Sequence, residues 1–158
     1  MFKFGPRRGL RRGTSAIEWY EQGRAAEEGG DVAGATHAYE RAIAGRPDLA
    51  DAHNNLGRLH HDAANLPAAE AHYRLALCAD RQVGLYWFNL GVVLEDQGRS
   101  AEAIAAYEHA LALDAYLADA HFNLARQIER AALRSNDEVL MRRAVRHLKQ
   151  YRELSRAG

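Results

Sequence analysis

The sequence predicts an all-α fold in which similar helix pairs stack one on the next. Three observations lead there. The chain overlays itself when shifted by 34 residues. Alanine, leucine, arginine and glutamate dominate its 158 residues, with only 3 prolines. Short polar breaks, several with glycine, recur between apolar stretches of helical spacing. Such a composition favours helix, and a fixed period of roughly 20–50 residues marks a repeat architecture.

The period is carried by many independent positions. Asn55-Leu56-Gly57 returns as Asn89-Leu90-Gly91 and then as Asn123-Leu124-Ala125. Trp19, His53, Trp87 and His121 keep the same spacing, as do Gly23, Gly57 and Gly91. A second set follows it: Ala35, Ala69 and Ala103; Tyr39, Tyr73 and Tyr107; Ala42, Ala76 and Ala110. Each unit therefore reads as two helices, the first built on the aromatic-Leu-Gly set and the second on the Ala-Tyr-Ala set. One such pair cannot bury its apolar face alone, so neighbours must stack to make a continuous core.

In the first unit, residues 16–49, the break Glu28-Gly29-Gly30-Asp31 separates the helices, with Asp31 as the expected N-cap. The second unit, 50–83, places Pro67 in the first turn of its second helix, where a missing N–H costs nothing. The third unit, 84–117, has Trp87, Leu90, Gly91 and Leu94 on one face, and Ser100 as the expected cap of its second helix. Gly57 and Gly91 are expected to let the two helices of a unit approach closely, and the tyrosines to fill the gaps between units. The fourth unit, 118–155, is longer. Its second-helix set reappears as Ala144, Leu148 and Tyr151, displaced by 7 residues, close to two helical turns. Ser135 and Glu138 read as a capping box opening a helix to about residue 155. Leu140, Ala144, Leu148 and Tyr151 form its inner stripe, with Arg142, Arg146 and Lys149 off it. This last helix is expected to be a C-terminal cap with a polar outer face.

An aromatic, then Leu-Gly, then alanine, tyrosine and alanine, with Pro47 at a unit end, resembles the tetratricopeptide repeat family. The likeness covers residues 16–134 closely and 135–155 loosely. It implies a right-handed α-solenoid of about four helix-turn-helix repeats with a C-terminal capping helix. His53 and His121 depart from the family's usual large residue, and Arg81 and Ala115 replace the proline at unit ends. A looser resemblance links 16–155 to the repeat portion of some bacterial mercury-resistance-type transcription regulators.

The family resemblance implies that the first helices of successive units line a concave groove that holds an extended peptide or partner protein. Asn55, Asn89 and Asn123 share one groove position, broken by Glu21 in the first unit. An amide offers both donors and an acceptor, suited to clamping a peptide backbone. Tyr20, Asn54, Phe88 and Phe122 share a second position. Arg24, Arg58 and Arg126 share a third, with Val92 interrupting. Arginines and aromatics together suit a ligand with carboxylates and apolar side chains. The acids Glu27, Asp62, Glu95, Asp96 and Glu129 lie one turn on, and the alternative is that they pair with these arginines internally. The family's carboxylate clamp for heat-shock chaperones is incomplete: Asn55 matches, but Leu85 and Asn89 stand where lysine and arginine are needed.

The chemistry-bearing patterns of enzymes are absent from the sequence: no phosphate loop, nucleophile elbow or helical zinc-protease motif occurs. No catalytic residue, cofactor or metal is therefore expected. Of the 8 histidines, His60 and His61 are adjacent and point apart on a helix, while His53 and His121 read as core residues. Cys78 stands alone, so an internal disulfide is excluded. No run long enough to span a membrane occurs. The net charge of zero conceals an acidic middle, −10 over residues 16–138, between two basic ends of +5 each. Residues 1–15 carry five cations and no acid and are expected to be a disordered basic segment. These ends leave a nucleic-acid contact as a secondary expectation, and exposed stack ends leave self-association as a third. Arginine-rich, lysine-poor usage points to a bacterial chain, with the cytoplasm as the expected location.

Overall fold

The computed structural model describes residues 13–157; the basic segment expected at 1–15 lies outside the described residues except for Gly13, Thr14 and Ser15. The described residues form eight helices and no strand: α1 (Ala16–Glu28), α2 (Val32–Gly45), α3 (Ala50–Asp62), α4 (Leu66–Ala79), α5 (Gly84–Asp96), α6 (Ser100–Leu113), α7 (Ala118–Ser135) and α8 (Glu138–Ala157). The chain divides after Pro47 into two compact units. None of the helices is long and apolar enough to cross a membrane.

In the first unit, α1 starts on Ser15. Its hydroxyl accepts from the Glu18 N–H at 3.2 Å, and the Glu18 carboxylate accepts from the Ser15 N–H at 2.7 Å. That reciprocal box satisfies two orphan donors and holds the Glu18 carboxyl below its ordinary range, chiefly through the backbone hydrogen bond. Asp31 caps α2 as expected, accepting from the Gly34 N–H at 2.8 Å. Tyr39 is fully buried, and its ring lies so close to Gly23 that a Cβ there would sit 2.5 Å from a ring carbon.

In the second unit, α3 packs on α4, α5 on α6 and α7 on α8, and the pairs join through α4–α5 and α6–α7. One core runs through them, from Ala69, Tyr73 and Leu77 through Tyr86, Leu90 and Tyr107 to Leu124, Ile128 and Ala144. The tyrosines fill a different gap from the one expected. Gly57 and Gly91 face the rings of Tyr73 and Tyr107, with a built Cβ only 2.7 and 2.6 Å from the nearest ring carbons. Each ring thus fills space within its own helix pair, and glycine's missing side chain makes the room. Between pairs, Tyr86 on α5 donates its hydroxyl proton to Asp51 on α3.

Two expected caps are corrected. Ser100 is the first residue of α6 rather than its cap; Arg99 holds the cap position and makes no side-chain cap bond. Its guanidinium instead reaches Glu102 and, from the preceding pair, Glu70, at 2.8 Å. Ser135 does not open α8. It is the last residue of α7, and its hydroxyl donates back to the Ala131 carbonyl at 3.0 Å. Asn136 turns left-handed (φ 52°), and Asp137 caps α8 by accepting from Val139 and Leu140 at 2.8 and 3.1 Å. Pro67 does sit in the first turn of α4. The turns inside the pairs need positive φ at residues 30, 64 and 98; Gly30 and Gly98 meet it without cost, and Ala64 meets it at φ 57° with a Cβ to accommodate.

The seven-residue displacement in α8 holds. Ala144 is 1% exposed, matching the full burial of Ala69 and Ala103, and Leu140 packs against the same core. The outer face of α8 differs from the expected polar surface. Val139 and Val145 are exposed there, Met141 is half-buried beside them, and Leu148 is half-buried at the edge of the inner stripe.

Candidate binding face

The first helices of the second unit, α3, α5 and α7, bring the repeated polar positions together. Arg58 and His61 of α3, Phe88, Asn89 and Val92 of α5, and Asp119 and Asn123 of α7 line one pocket of about 330 Å³, with Tyr73 of α4 also in the lining. Asn89 donates its amide N–H to the Asn54 side-chain oxygen at 2.8 Å. Asn54 is 8% exposed, whereas the aromatics sharing its register remain part-exposed. A buried amide needs a partner, and Asn89 supplies it. Asn55, beside it, is half-buried on α3.

The tyrosines beneath act as polar supports. Asn123 lies 3.5 Å from the Tyr107 hydroxyl, which donates to Glu95 at 2.9 Å. Burial, reinforced by Glu95, pushes the Tyr107 phenol far up. Burial, reinforced by Asp62, pushes Tyr73 up to about 12. Both phenols therefore keep their protons at neutral pH and remain donors.

The arginines are already paired. Arg58 meets Asp62 at 3.4 Å, and Glu95 gathers Arg126 at 3.4 Å and Arg130 at 3.6 Å. Arg126 also lies over the Phe122 ring, 5.6 Å from its centre. Two of the acids one turn on, Asp62 and Glu95, thus take the internal role allowed for them. Asp96 instead lies 2.6 Å from His61. These pairs are part-exposed, where an ion pair is worth only about 0–1 kcal/mol, so a ligand carboxylate can exchange with them.

The expected site residues fall into three places. Tyr20 and Arg24 lie on α1 in the first unit, Tyr20 packed 5.7 Å from Tyr39 and Arg24 paired with Glu21 and Glu28 at 3.6 and 4.0 Å. Arg58, Phe88, Asn89 and Asn123 share the pocket. Phe122 turns toward α8, its ring 5.0 Å from Tyr151. His61, Val92, Tyr73 and Asp119 joined the pocket without being expected. His61 carries a readable signal: it holds the register of Glu95, and its partner Asp96 that of Arg130, so the two contacts are the same one in successive units.

The histidines pair among themselves. His53 and His72 approach through their Nδ1 atoms at 3.1 Å, and His121 and His147 do the same at 2.9 Å. The two pairs are equivalent once the seven-residue displacement is applied, so they are one structural device used twice. Among the described residues, no group of three or more His, Cys, Asp or Glu is arranged to hold a metal ion.

Two tetratricopeptide repeat models match the sequence, one over residues 20–84 and one over 84–117, together more than half of the chain. The chain belongs to the tetratricopeptide repeat family, and its fold is that family's all-α solenoid. No curated protein matches it. Among solved structures, it is similar to MamA, at 19% identity and a TM-score of 0.78, over 91% of this chain and 80% of that one. It is similar to the first tetratricopeptide domain of Spaghetti (RPAP3), which was solved bound to the HSP90 peptide SRMEEVD, at 19% identity and a TM-score of 0.70, over 75% of this chain and 96% of that one. The Arabidopsis OM64 domain is similar at 23% identity and 0.70, over 73% and 96%.

Proposed function

We propose that the chain is a non-enzymatic scaffold that binds an extended peptide or partner protein on the face formed by α3, α5 and α7. The observation that carries this reading is the pocket shared by Arg58, Phe88, Asn89 and Asn123. It combines what peptide recognition needs: amides for the backbone, an aromatic for an apolar side chain, and an exchangeable cation for a carboxylate. A similar fold that holds a peptide, the Spaghetti domain with its HSP90 segment, supports the class of ligand and not its identity. Leu85 and Asn89, at the positions where a chaperone clamp needs lysine and arginine, argue against that ligand here.

The same reading takes residues 16–155 as one repeat domain of units 16–49, 50–83, 84–117 and 118–155, acting in a bacterial cytoplasm. Asn54, Asn55 and Arg126 beside the pocket, and Phe122 at the α8 side of α7, extend the binding surface, while Tyr20 and Arg24 on α1 are contacts proposed within the first compact unit.

The test is affinity capture from lysate by the full chain, beside an Asn55→Ala/Asn89→Ala/Asn123→Ala variant whose circular dichroism matches. A protein retained by the wild type and lost from the variant is the expected result. Equal capture by both overturns the asparagine face. A second reading, a regulatory module associated with transcription or nucleic-acid transactions, draws on the two basic ends, residues 1–15 and 139–158. It requires strong salt-dependent binding to a generic duplex that is lost on deleting residues 1–15.

A further inference from the structure

Met141 and Val145 lie along the outer side of α8 at i and i+4, Val145 being 57% exposed, and Leu148 at i+7 is half-buried at the edge between that side and the inner stripe. Open grooves flank this stripe on both sides. Val145 lines one with Glu138, Met141, Arg142 and Arg146, and the other with Phe122, Leu148, Lys149, Tyr151 and Arg152.

The repeat register says what covers such a surface elsewhere in the unit. With the displacement of 7, Met141 and Val145 stand where Leu66 and Glu70 stand in α4, and where Ser100 and Ile104 stand in α6. Leu66 and Ile104 are part-buried against the core, on the helices that α5 and α7 pack upon. The matching face of α8 has no such helix among the described residues.

Charge narrows the occupant. Arg142, Arg146, Lys149 and Arg152 border the stripe. Arg142 and Lys149 meet only exposed glutamates of their own helix, at 3.7 and 3.9 Å, and Arg146 and Arg152 make no ion pair among the described residues. Two copies of α8 set face to face would oppose these cations. The face of α1 is no better match. Glu18, Gln22 and Ala25 stand there at the positions held by Ala52, Leu56 and Leu59 in α3, so a second copy offers a polar surface to an apolar stripe.

We propose that the outer face of α8 is a docking site for an amphipathic helix of another protein, apolar on its contact side and flanked by Asp or Glu. That helix takes the place a next first-type helix would take. Its apolar stripe covers Met141, Val145 and Leu148, and its carboxylates meet Arg146 and Arg152. This surface shares Phe122 with the edge of the α3–α5–α7 face but none of the residues that line its pocket.

The test uses the full chain and two fluorescein-labelled synthetic helical peptides with the same leucine stripe, one flanked by glutamate and one by lysine. Fluorescence anisotropy is expected to show the glutamate peptide binding at least about tenfold tighter. Val145→Asp abolishes that binding, Arg146→Glu/Arg152→Glu reverses the preference, and Asn89→Ala/Asn123→Ala leaves it unchanged. Val145 is mostly exposed, so its variant keeps the helical spectrum; the charge-reversed variant tests the same claim without touching the stripe. Equal binding of the two peptides, no binding of either, or a preference that survives charge reversal overturns the proposal. So does a sedimentation mass of two chains that Val145→Asp returns to one, because a second copy then covers the face.

Discussion

In the α5–α6 pair, Gly91 lies under the ring of Tyr107; in the α7–α8 pair, the same two register positions hold Ala125 and Leu148. The first pair places a large ring against a residue with no side chain. The second has a leucine at the tyrosine's position and a methyl group at the glycine's. Both keep the helices close, because interiors fill to a fixed density and volume lost on one helix is regained on the other. At these two register positions the summed volume stays nearly constant while neither residue does. That constancy also explains why the fourth unit looks irregular in sequence while its core residues, Leu124, Ile128 and Ala144, are each 1% exposed.

The sharpest way to break the comparison is to give α5 the alanine of α7 without the matching leucine. A Cβ at residue 91 would sit 2.6 Å from the Tyr107 ring, which is itself fully buried and has nowhere to retreat. Gly91→Ala is expected to destabilise by about 1–3 kcal/mol, although alanine is the better helix former. Adding Tyr107→Leu recreates the α7–α8 combination. The two substitutions should then couple favourably by about 1 kcal/mol or more in a double-mutant cycle read by urea denaturation. Simple additivity would show that the two positions do not share one volume.

A second difference between the pairs is Gln127. It occupies the register of Leu59 and Val93, is 1% exposed, and neither its amide nitrogen nor its oxygen has a hydrogen-bond partner in the structure. Leaving such groups buried and unpaired costs about 1–3 kcal/mol. Gln127→Leu is therefore expected to raise the thermal midpoint, bringing α7 into line with α3 and α5. A lowered midpoint would mean that the amide finds a partner in solution.

The histidine pairs offer a comparison across pH. Burial, and then the neighbouring His53 and His60, lowers His72 to about 4. Burial, then His121 and after it Arg143 and Arg146, lowers His147 to about 4. In the unfolded chain each returns to its ordinary value of about 6.5. Between those values the unfolded chain binds protons that the folded chain refuses, so stability is whole above pH 6.5 and is lost as pH falls toward 4. His72→Gln and His147→Gln should each flatten that decline in a series of denaturation midpoints. A midpoint that does not change over this range would exclude the pairs as titrating elements.

Much of this was legible in the residues. A strict period of 34 with small residues at fixed places leaves one packing solution, so the eight helices and the core alanines follow directly from Ala35, Ala69, Ala103 and their displaced partner Ala144. The proposed binding face was only partly legible. Period places Asn55, Asn89 and Asn123 on equivalent turns, but it cannot show that Asn54 is buried and takes its hydrogen bond from Asn89. Nor can it separate Phe122, drawn toward Tyr151, from Phe88 in the pocket. Those choices depend on what stands opposite on another helix, and the opposite residue changes from one unit to the next.

The smallest effect tests where the two pairs differ in their turns. Ser135 and Glu138 have the spacing of a capping box, yet α7 runs through Ser135 for five residues more than α5 has. The longer helix consumes the serine, and the cap passes to Asp137, which receives two backbone N–H groups. A box pattern is local, whereas the end of α7 is set by how far its buried face, from Ala120 to Ala132, continues to find core. Asp137→Ala should therefore cost about 1 kcal/mol of stability, the usual worth of an N-cap. Ser135→Ala removes only a bond to its own helix at Ala131 and should change stability by a few tenths of a kcal/mol, about the size of an ordinary surface substitution. If the two losses were equal, α7 would end a turn earlier in solution and the serine would share the cap.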